Sequence, residues 1–458
     1  MTATSNDEAS GLDQDLGLEH LWVPFSQMKT FIDNPDELPV YVSGKGCWVT
    51  DTKGNETFDM MSGMWLKAIG YGREEMAEAV YSAMQNITFN PWGGTSSYPI
   101  DLSSKLASLA PDKKSRVFLA SGGSEANETA IKMAKRFHRL NGESGRFKVI
   151  SRKGSYHGTT HATMPLGGGG VSAHQDYGPL QPGVVYSPQP DNYHCRYCSL
   201  ANGCNLDCAR EVEKIIQFEG PESIAAFIGE PMSVSAGIII PHPDYWPTIR
   251  EICSKYGILL ILDEVVTGFG RTGKWFASEH WDVKPDITTV AKALSSGYLP
   301  ISAAIASKHV ADAFLGSEKE TFRHLITYGS HPVSSAAALK NLEIIERENL
   351  VENSEKMGAY LFEELQALRK YPFVGDVRGG YGLFCGVELV SDAETKSPFD
   401  ASAGIPQKLT KIFKKRGLLT RISNVIPILP PLVITKDEVD HIVREIDASL
   451  KELGDEIS

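Results

Sequence analysis

Two residues combine a reactive side chain with a position at the end of a predicted buried strand. Asp263 closes the wholly apolar run "ILLIL", and Lys292 follows the strand-like run from Ile287 to Ala291. A lysine between two alanines at such a position is expected to be partly desolvated, which lowers the pKa of its amine and allows it to form a Schiff base. The alternative for any single lysine is a solvated surface residue.

A third stretch, "FLASGGSEANETAIKMAKRF" (residues 118–137), can bind an anion. An apolar strand ends in a glycine turn that includes Gly123, and Ser124 is expected to cap the helix that follows. Free N–H groups and the helix dipole attract phosphate to such a helix start. The pattern alone is weak, since Ser-capped helices are common in α/β domains. With Lys292 and Asp263, it supplies what pyridoxal phosphate needs: a lysine, a carboxylate for the ring nitrogen and a phosphate site.

The stretch "GFGRTGKW" (residues 268–275) matches most of a nucleotide-binding P-loop. The motif requires Ser or Thr after its lysine to bind magnesium, but here Trp275 follows Lys274. We therefore expect a Gly-rich loop after a strand rather than a nucleotide site.

Four of the seven cysteines fall in "HCRYCSLANGCNLDC". Their spacing contains the pairs C-x2-C and C-x3-C, which suit zinc, but the gap between the pairs is shorter than in zinc ribbons. The cluster can bind a metal, pack as small apolar side chains or become oxidised. We assign it to an excursion from the main domain over residues 190–210 and name no metal ligand. Its members are Cys195, Cys198, Cys204 and Cys208.

Charge and composition limit the classes of partner. The 458 residues carry a formal net charge of -12, which argues against a nucleic acid or an anionic membrane surface as the main partner. The N-terminus has no secretory signal pattern, and no apolar run reaches the roughly 20 residues needed to span a bilayer. The chain has only seven cysteines, an odd number. This favours a protein of a reducing compartment over one built on disulfide bonds. The sequence therefore predicts a cytoplasmic protein.

Short apolar runs alternate with helical segments from about residue 115 to residue 310. This alternation predicts an α/β domain whose sheet is mostly parallel and flanked by helices. Near the C-terminus, Thr435 and Glu438 form a predicted capping box. The predicted layout is a flexible tail (1–17), a smaller α+β domain built from both chain ends (18–80 and 341–458) and a large domain (81–340).

Several motifs occur in one order along the chain: "GSYHG", "GEP", "LILDEVVTGFGRTG", "AKALSSGYLP" and "TYGSHP". Together they resemble the class III pyridoxal-phosphate aminotransferases, the ω-aminotransferases, from about residue 20 to residue 430. The resemblance implies the fold-type I architecture and a homodimer or dimer of dimers with shared active sites. It also implies a ping-pong reaction in which a terminal amine passes to a 2-oxo acid, pyruvate or 2-oxoglutarate.

The resemblance also implies roles for individual residues. Lys292 corresponds to the Schiff-base lysine that later moves the substrate proton, and Asp263 to the carboxylate that pairs with the ring nitrogen. Glu230 would lie near the phenolic side of the cofactor. The other implied contacts are Tyr156 and Val265 on the two ring faces, with Gly123, Ser124 and the partner subunit's Thr327 at the phosphate.

On the substrate side, Arg421 in "GLLTRISN" corresponds to a mobile arginine of the family that moves into the pocket to bind a substrate carboxylate. A guanidinium binds a carboxylate best through two parallel hydrogen bonds. The alternative is a surface arginine. Trp65 and Phe89 match pocket walls, and Trp22 and Phe25 match the entrance, although buried aromatic residues are usually plain core. The expected donors are 6-aminohexanoate, β-alanine, 4-aminobutyrate or taurine.

Two alternatives stay open. Relatives on this fold also act as decarboxylases, aminomutases or racemases with the same cofactor. A more distant possibility is a zinc-organised binding protein built on the cysteine cluster. The chain also departs from the family pattern in "MSVSAG" after Pro231, and in the order of Gly329 and Ser330.

Overall fold

The computed structural model describes residues 20–168, 174–198 and 203–457, so the tail predicted for residues 1–17 lies outside the described residues. Strands in this part of the chain are numbered in chain order. They are β1 (Tyr41–Lys45), β2 (Trp48–Asp51), β3 (Glu56–Asp59), β4 (Arg116–Ala120), β5 (Lys148–Arg152), β6 (Val184–Ser187), β7 (Ile224–Gly229), β8 (Leu259–Asp263), β9 (Ile287–Val290), β10 (Ser302–Ala306), β11 (Val374–Arg378), β12 (Cys385–Leu389), β13 (Leu418–Leu419) and β14 (Val425–Ile428).

The α-helices of the same ranges are numbered in the same way. They are α1 (Met28–Asp33), α2 (Ser62–Trp65), α3 (Glu74–Asn86), α4 (Ser97–Leu109), α5 (Gly123–Leu140), α6 (Asp207–Glu219), α7 (Tyr245–Tyr256), α8 (Lys308–Asp312), α9 (Pro332–Arg347), α10 (Leu350–Leu365), α11 (Ile405–Lys415) and α12 (Lys436–Ile457). None of these described helices combines the length and the apolar character that crossing a bilayer requires.

The largest sheet has seven strands in the order β4-β10-β9-β8-β7-β5-β6. Neighbouring strands from β9 through to β6 run parallel, while β10 runs antiparallel to both β9 and β4. The prediction of a mostly parallel sheet flanked by helices is therefore confirmed, with one reversed strand.

The apolar run of β8 is buried on both faces of this sheet. Leu259 and Ile261 join a core with α5, whereas Leu260 and Leu262 join a second core with Trp246 of α7. Successive side chains of a strand point to opposite faces, so an unbroken apolar run suits a strand that is covered by helices on both sides. Truncating one such leucine to alanine costs about 2–5 kcal/mol of stability.

Of two smaller sheets, one combines distant parts of the chain. One has the order β1-β2-β3-β13, in which β13 near the C-terminus pairs with β3 near the N-terminus, and the other has the order β11-β12-β14. At the start of α12 the predicted capping box is present, since the Thr435 N–H donates to Glu438 Oε2 at 2.8 Å and the Glu438 N–H donates to Thr435 Oγ1 at 3.3 Å.

Six of the seven strands of the large sheet point in one direction and end at the same edge, and five of these six lead into the predicted site: β4, β5, β7, β8 and β9. Ligands of open α/β sheets bind outside the carboxyl ends of the strands. The segments that come after these five strands carry Gly123, Tyr156, Glu230, Asp263 and Lys292. The topology thus gathers residues that are far apart in sequence.

Candidate active site

The carboxyl ends of the five strands surround a cavity of about 160 Å³. Most of the residues implied by the motifs line it together. They are Trp65, Gly123, Ser124, Tyr156, Glu230, Asp263, Val265 and Lys292.

Lys292 begins a single 3₁₀ turn directly after β9 and has a φ of 47°. This left-handed conformation is unfavourable for a residue with a side chain and persists where the surrounding structure holds it, which is common at active sites. The amine lies 5.2 Å from the ring centre of Trp65, whose φ is also positive at 61°. Burial lowers the pKa of Lys292 to about 8, against the opposing effect of Asp263 and Glu230. About a tenth of the amine is therefore neutral and nucleophilic at pH 7, far more than for an ordinary lysine.

Asp263 is 4% exposed, and its carboxylate is held in a fixed orientation. Oδ2 lies 2.7 Å from His157 Nδ1 and accepts a hydrogen bond of 2.8 Å from Asn127 Nδ2, which Thr289 orients in turn through Asn127 Oδ1. Oδ1 accepts the N–H of Val265 at 3.0 Å. A carboxylate has about four acceptor positions, so Oδ1 keeps a lone pair for one further donor, such as a ring N–H.

Glu230 follows β7 and is the most strongly held carboxylate of the cavity. It accepts from Arg152 Nη2 at 2.9 Å, from Ser155 Oγ at 2.8 Å and from the N–H of Tyr156 at 3.1 Å. Burial alone raises the pKa of Glu230, but His157, Arg152 and the backbone donors outweigh it and bring the pKa to about 2. Glu230 is therefore a permanently ionised acceptor that is already paired.

The helix α5 begins at Gly123 with Gly122 as its N-cap, so the expectation that Ser124 caps this helix is wrong. Ser124 lies in the first turn, and its Oγ accepts the N–H of Thr159 at 3.2 Å instead. A Cβ on Gly123 would lie 3.3 Å from Val265 Cγ1, tighter than most such contacts. The first N–H groups of a helix lack acceptors within it, so the start of α5 presents donors and the positive end of its dipole to an anion.

Five residues implied by the resemblance do not line the cavity within one chain. All five are exposed: Trp22, Phe25, Phe89, Thr327 and Arg421. Two of them are in contact, since the guanidinium of Arg421 lies 5.3 Å from the ring centre of Phe25.

The sequence interpretation missed His157, Asn127 and Arg152. His157 stands inside the motif "GSYHG", and Asn127 is a polar residue, 1% exposed, on the buried side of α5. A polar side chain on an apolar helix face was the available signal for Asn127. For Arg152, the last residue of β5 and 1% exposed, no comparable signal exists.

Backbone hydrogen bonds fold the P-loop-like stretch back on itself. The N–H of Phe269 donates to the carbonyl of Trp275 at 2.6 Å, and the N–H of Gly270 donates to the carbonyl of Lys274 at 3.1 Å. The amine of Lys274 lies 3.6 Å from Glu355 Oε1. The stretch is a Gly-rich loop after β8, as predicted.

The donors of the cavity fit pyridoxal phosphate. A partly neutral lysine, a fixed carboxylate and a helix start lie around one space, with Tyr156 and Val265 among its walls. Two buried polar atoms, Trp65 Nε1 and His157 Nε2, have no hydrogen-bond partner within the described ranges. Buried polar atoms are rarely left unpaired, so the cavity is built for a ligand with polar groups.

Comparisons with known proteins agree with this chemistry. The family model of the class III aminotransferases matches residues 32–450. The chain is 40% identical to the uncharacterized aminotransferase YhxA of Bacillus subtilis, over 89% of this chain and 90% of that protein. It is 38% identical to taurine–pyruvate aminotransferase of Bilophila wadsworthia, over 94% and 95% of the two chains. The crystal structure of an (S)-enantioselective omega-transaminase from Thermomicrobium roseum superposes with a TM-score of 0.91 at 36% identity, covering 98% of this chain and 99% of that one.

The family match spans most of the chain, and the relatives agree with it over nearly their whole length. The protein therefore belongs to the class III aminotransferases, a family of enzymes that depend on pyridoxal phosphate.

Proposed function

We propose that this aminotransferase transfers the terminal amine of a donor with an acidic group to a 2-oxo acid, pyruvate or 2-oxoglutarate. Suitable donors are taurine, β-alanine, 4-aminobutyrate and 6-aminohexanoate. The observation that carries the transfer chemistry is the convergence of Lys292, Asp263 and the start of α5 on one cavity. The similarity to a taurine–pyruvate aminotransferase supports the choice of donor.

In this proposal each residue of the cavity has a separate role in binding the cofactor or in transferring the proton. When bound, pyridoxal phosphate supplies a carbonyl that takes up the donor amine and a ring that withdraws electrons. Lys292 Nζ holds the cofactor at rest and, once released, accepts the proton from the donor carbon and returns it to the cofactor side. Asp263 Oδ1 holds the proton of the ring nitrogen, and the start of α5 binds the phosphate. Arg152 pairs with Glu230 at 2.9 Å and so balances the charge of that carboxylate inside the cavity.

The pKa of Lys292 predicts how the apoenzyme captures its cofactor. Schiff-base formation requires the neutral amine, and this pKa lies at about 8. The neutral fraction grows as the pH rises through that value, so the capture rate should increase from pH 7 to pH 9 and then level off. Stopped-flow absorbance after mixing apoenzyme with pyridoxal phosphate measures this rate. A rate that keeps rising towards the ordinary lysine pKa of about 10.4 would contradict the assignment.

The acidic group of the donor needs a cation from outside the cavity lining. Lys292 is the only lysine or arginine among the described lining residues. In this proposal it holds the cofactor and transfers the proton, so it is not available to bind the acidic group. Arg421 is exposed, forms no ion pair within the described ranges and rests against the ring of Phe25. An exposed cation–π contact is worth about 0.5–1 kcal/mol, whereas a charge-assisted hydrogen bond is worth about 1.5–3 kcal/mol. A carboxylate or sulfonate can therefore draw Arg421 away from Phe25.

Replacing Arg421 by leucine should raise KM for taurine and β-alanine by about 10- to 100-fold, the equivalent of one charged hydrogen bond. The kcat/KM for an uncharged arylalkylamine should change by less than about threefold, because such a donor has no group for a guanidinium to bind. Initial rates with each donor and saturating pyruvate give both values.

Two further variants separate charge from side-chain loss at Arg421. Arg421→Lys keeps the charge and should recover part of the affinity for acidic donors. Arg444→Leu removes an exposed arginine of α12 and should leave both donors unchanged. Equal losses for acidic and uncharged donors in Arg421→Leu would refute a role in binding the acidic group.

We further propose a cytoplasmic homodimer in which the partner subunit's Thr327 completes the phosphate site. The surface around Thr327 supports this, since Leu325 is 70% exposed and Tyr328 is 63% exposed, and large apolar side chains at such exposure mark interaction sites. All seven cysteines are free thiols, as suits a reducing compartment. Light scattering that gives the mass of a single chain at working concentration would rule out the dimer.

A further inference from the structure

The cysteine cluster lies outside the catalytic cavity, in the connection between β6 and α6. Within residues 20–168, 174–198 and 203–457, no group of three or more His, Cys, Asp or Glu side chains is arranged to hold a metal ion. The connection contacts two regions: Gln189 Nε2 donates to Ser155 Oγ beside the cavity at 3.2 Å, and His194 Nε2 lies 2.6 Å from Glu388 Oε1 of β12.

Two of the four thiols form a close pair. Cys198 Sγ lies 3.9 Å from Cys204 Sγ, although six positions separate the residues in sequence. Cys195 Sγ instead accepts the N–H of Cys198 at 3.2 Å. Cys208 is 4% exposed and packs into the core beneath α6, where burial raises the pKa of its thiol to about 12.

The surroundings favour ionisation of one thiol of the pair. Burial opposes the thiolate at Cys198, but the N–H groups of Asp207 and Asn205 and the thiols of Cys195 and Cys204 outweigh it and lower its pKa. Asp207 begins α6, and helix starts stabilise thiolates in general. The pKa of Cys204 is raised by burial and by its neighbouring sulfurs. The pair thus places a thiol that ionises more readily within 3.9 Å of one that ionises less readily, and redox-sensitive cysteines commonly lie beside a second, resolving cysteine in this way.

We propose that Cys198 and Cys204 form a reversible disulfide when the enzyme meets a peroxide. The Cys198 thiolate attacks one oxygen of hydrogen peroxide, giving a sulfenic acid and hydroxide. The Cys204 sulfur then attacks the sulfenic sulfur and loses its proton, the S–S bond forms, and water leaves. Overall, two thiols lose two hydrogens and one peroxide becomes two waters. A dithiol reductant reverses the bond by thiol–disulfide exchange.

The sequence makes this bond easy to map in the full-length holoenzyme. Trypsin cleaves after Arg196 and Arg210, which places Cys195 on one peptide and Cys198, Cys204 and Cys208 on the next. Cleavage before Asp207 separates Cys208 from Cys204. After mild peroxide treatment and alkylation, mass spectrometry should find residues 197–210 lighter by two hydrogens and alkylated only at Cys208. Dithiothreitol should restore all three alkylation sites.

Variants decide which cysteines are needed. Cys198→Ser and Cys204→Ser should each abolish the intrapeptide bond, whereas Cys195→Ser should keep it. Cys253, fully buried with a pKa raised to about 12, is an internal control that should stay unmodified. Three results would overturn the proposal: a crosslink to Cys195, oxidation to sulfinic acid with no disulfide, or one zinc per chain bound under reducing conditions that protects the thiols. None of these measurements depends on transaminase activity. A negative result for the disulfide would therefore leave the proposed function unaffected, and a negative result for the proposed function would leave the disulfide unaffected.

Discussion

Lys292→Ala is expected to lower kcat for transamination by on the order of 10⁴-fold or more, as loss of a covalent catalytic group does in other enzymes. In the proposed mechanism Lys292 both holds the cofactor and moves the donor proton, and proton transfer by a positioned side chain alone contributes about 10²- to 10⁴-fold. No other lysine or arginine of the described residues lines the cavity and could replace it. Initial rates with saturating donor and pyruvate measure the loss, and the visible absorbance of the lysine-bound cofactor should disappear.

Lys67→Ala is a matched control for this prediction. Burial also lowers the pKa of Lys67, and its amine lies 4.3 Å from the ring centre of Tyr298, but the residue does not line the cavity. Its loss should change kcat by less than about threefold, because a group outside the site contributes to stability rather than to the transition state. Wild-type turnover by Lys292→Ala would show that another group performs the chemistry.

Asp263→Asn should lower kcat by about 10²- to 10³-fold, the usual effect of removing one preorganised electrostatic group from an active site. The amide keeps the shape of the carboxylate but loses the charge that we propose holds a proton on the ring nitrogen. It also turns a donor towards His157 or Asn127, which both contact Asp263 Oδ2. Single-turnover rates with excess donor report this step directly.

Thr289→Val distinguishes charge from orientation at Asp263. The variant keeps the carboxylate and removes only the hydroxyl that donates to Asn127 Oδ1 at 2.7 Å. One lost neutral hydrogen bond is worth about 0.5–1.5 kcal/mol, so the rate should fall by no more than about tenfold. Equal losses in Thr289→Val and Asp263→Asn would contradict a role for the negative charge.

The residues at strand ends could be found from the sequence because their position depends on a local pattern. The run before Asp263 is apolar on both faces, which indicates a buried strand, and the edge of a parallel sheet then brings together the residues at the carboxyl ends of its strands. Lys292 is recognisable for the same reason, although its left-handed φ of 47° has no counterpart in the sequence pattern.

The support of these residues could not be predicted, because it depends on contacts between distant segments. Asn127 and Asp263 are 136 positions apart, His157 and Asp263 are 106 positions apart, and Arg152 and Glu230 are 78 positions apart. Such pairs depend on sheet order and on side-chain direction, and neither is encoded in local periodicity. The predicted cap of α5 failed for a related reason, since the hydroxyl of Ser124 bonds to the distant Thr159.

The substrate side stays the least determined by the sequence. Trp65 lines the cavity, but Phe89, Arg421 and the entrance residues lie on the surface of a single chain. Their implied roles depend on a second subunit or on the movement of Arg421, and neither a motif nor one folded chain contains that information. Donor specificity therefore stays a proposal that kinetics must test.

In the proposed ping-pong transfer, donor and acceptor react separately, so the half-reaction with donor alone tests this mechanism most directly. Purified holoenzyme mixed with taurine or β-alanine, without any 2-oxo acid, should release one equivalent of aldehyde per subunit and then stop. Its visible spectrum should change once and stay changed until added pyruvate restores it and yields alanine. Continuous turnover without a 2-oxo acid, release of carbon dioxide or conversion of the donor to an isomer would contradict this account.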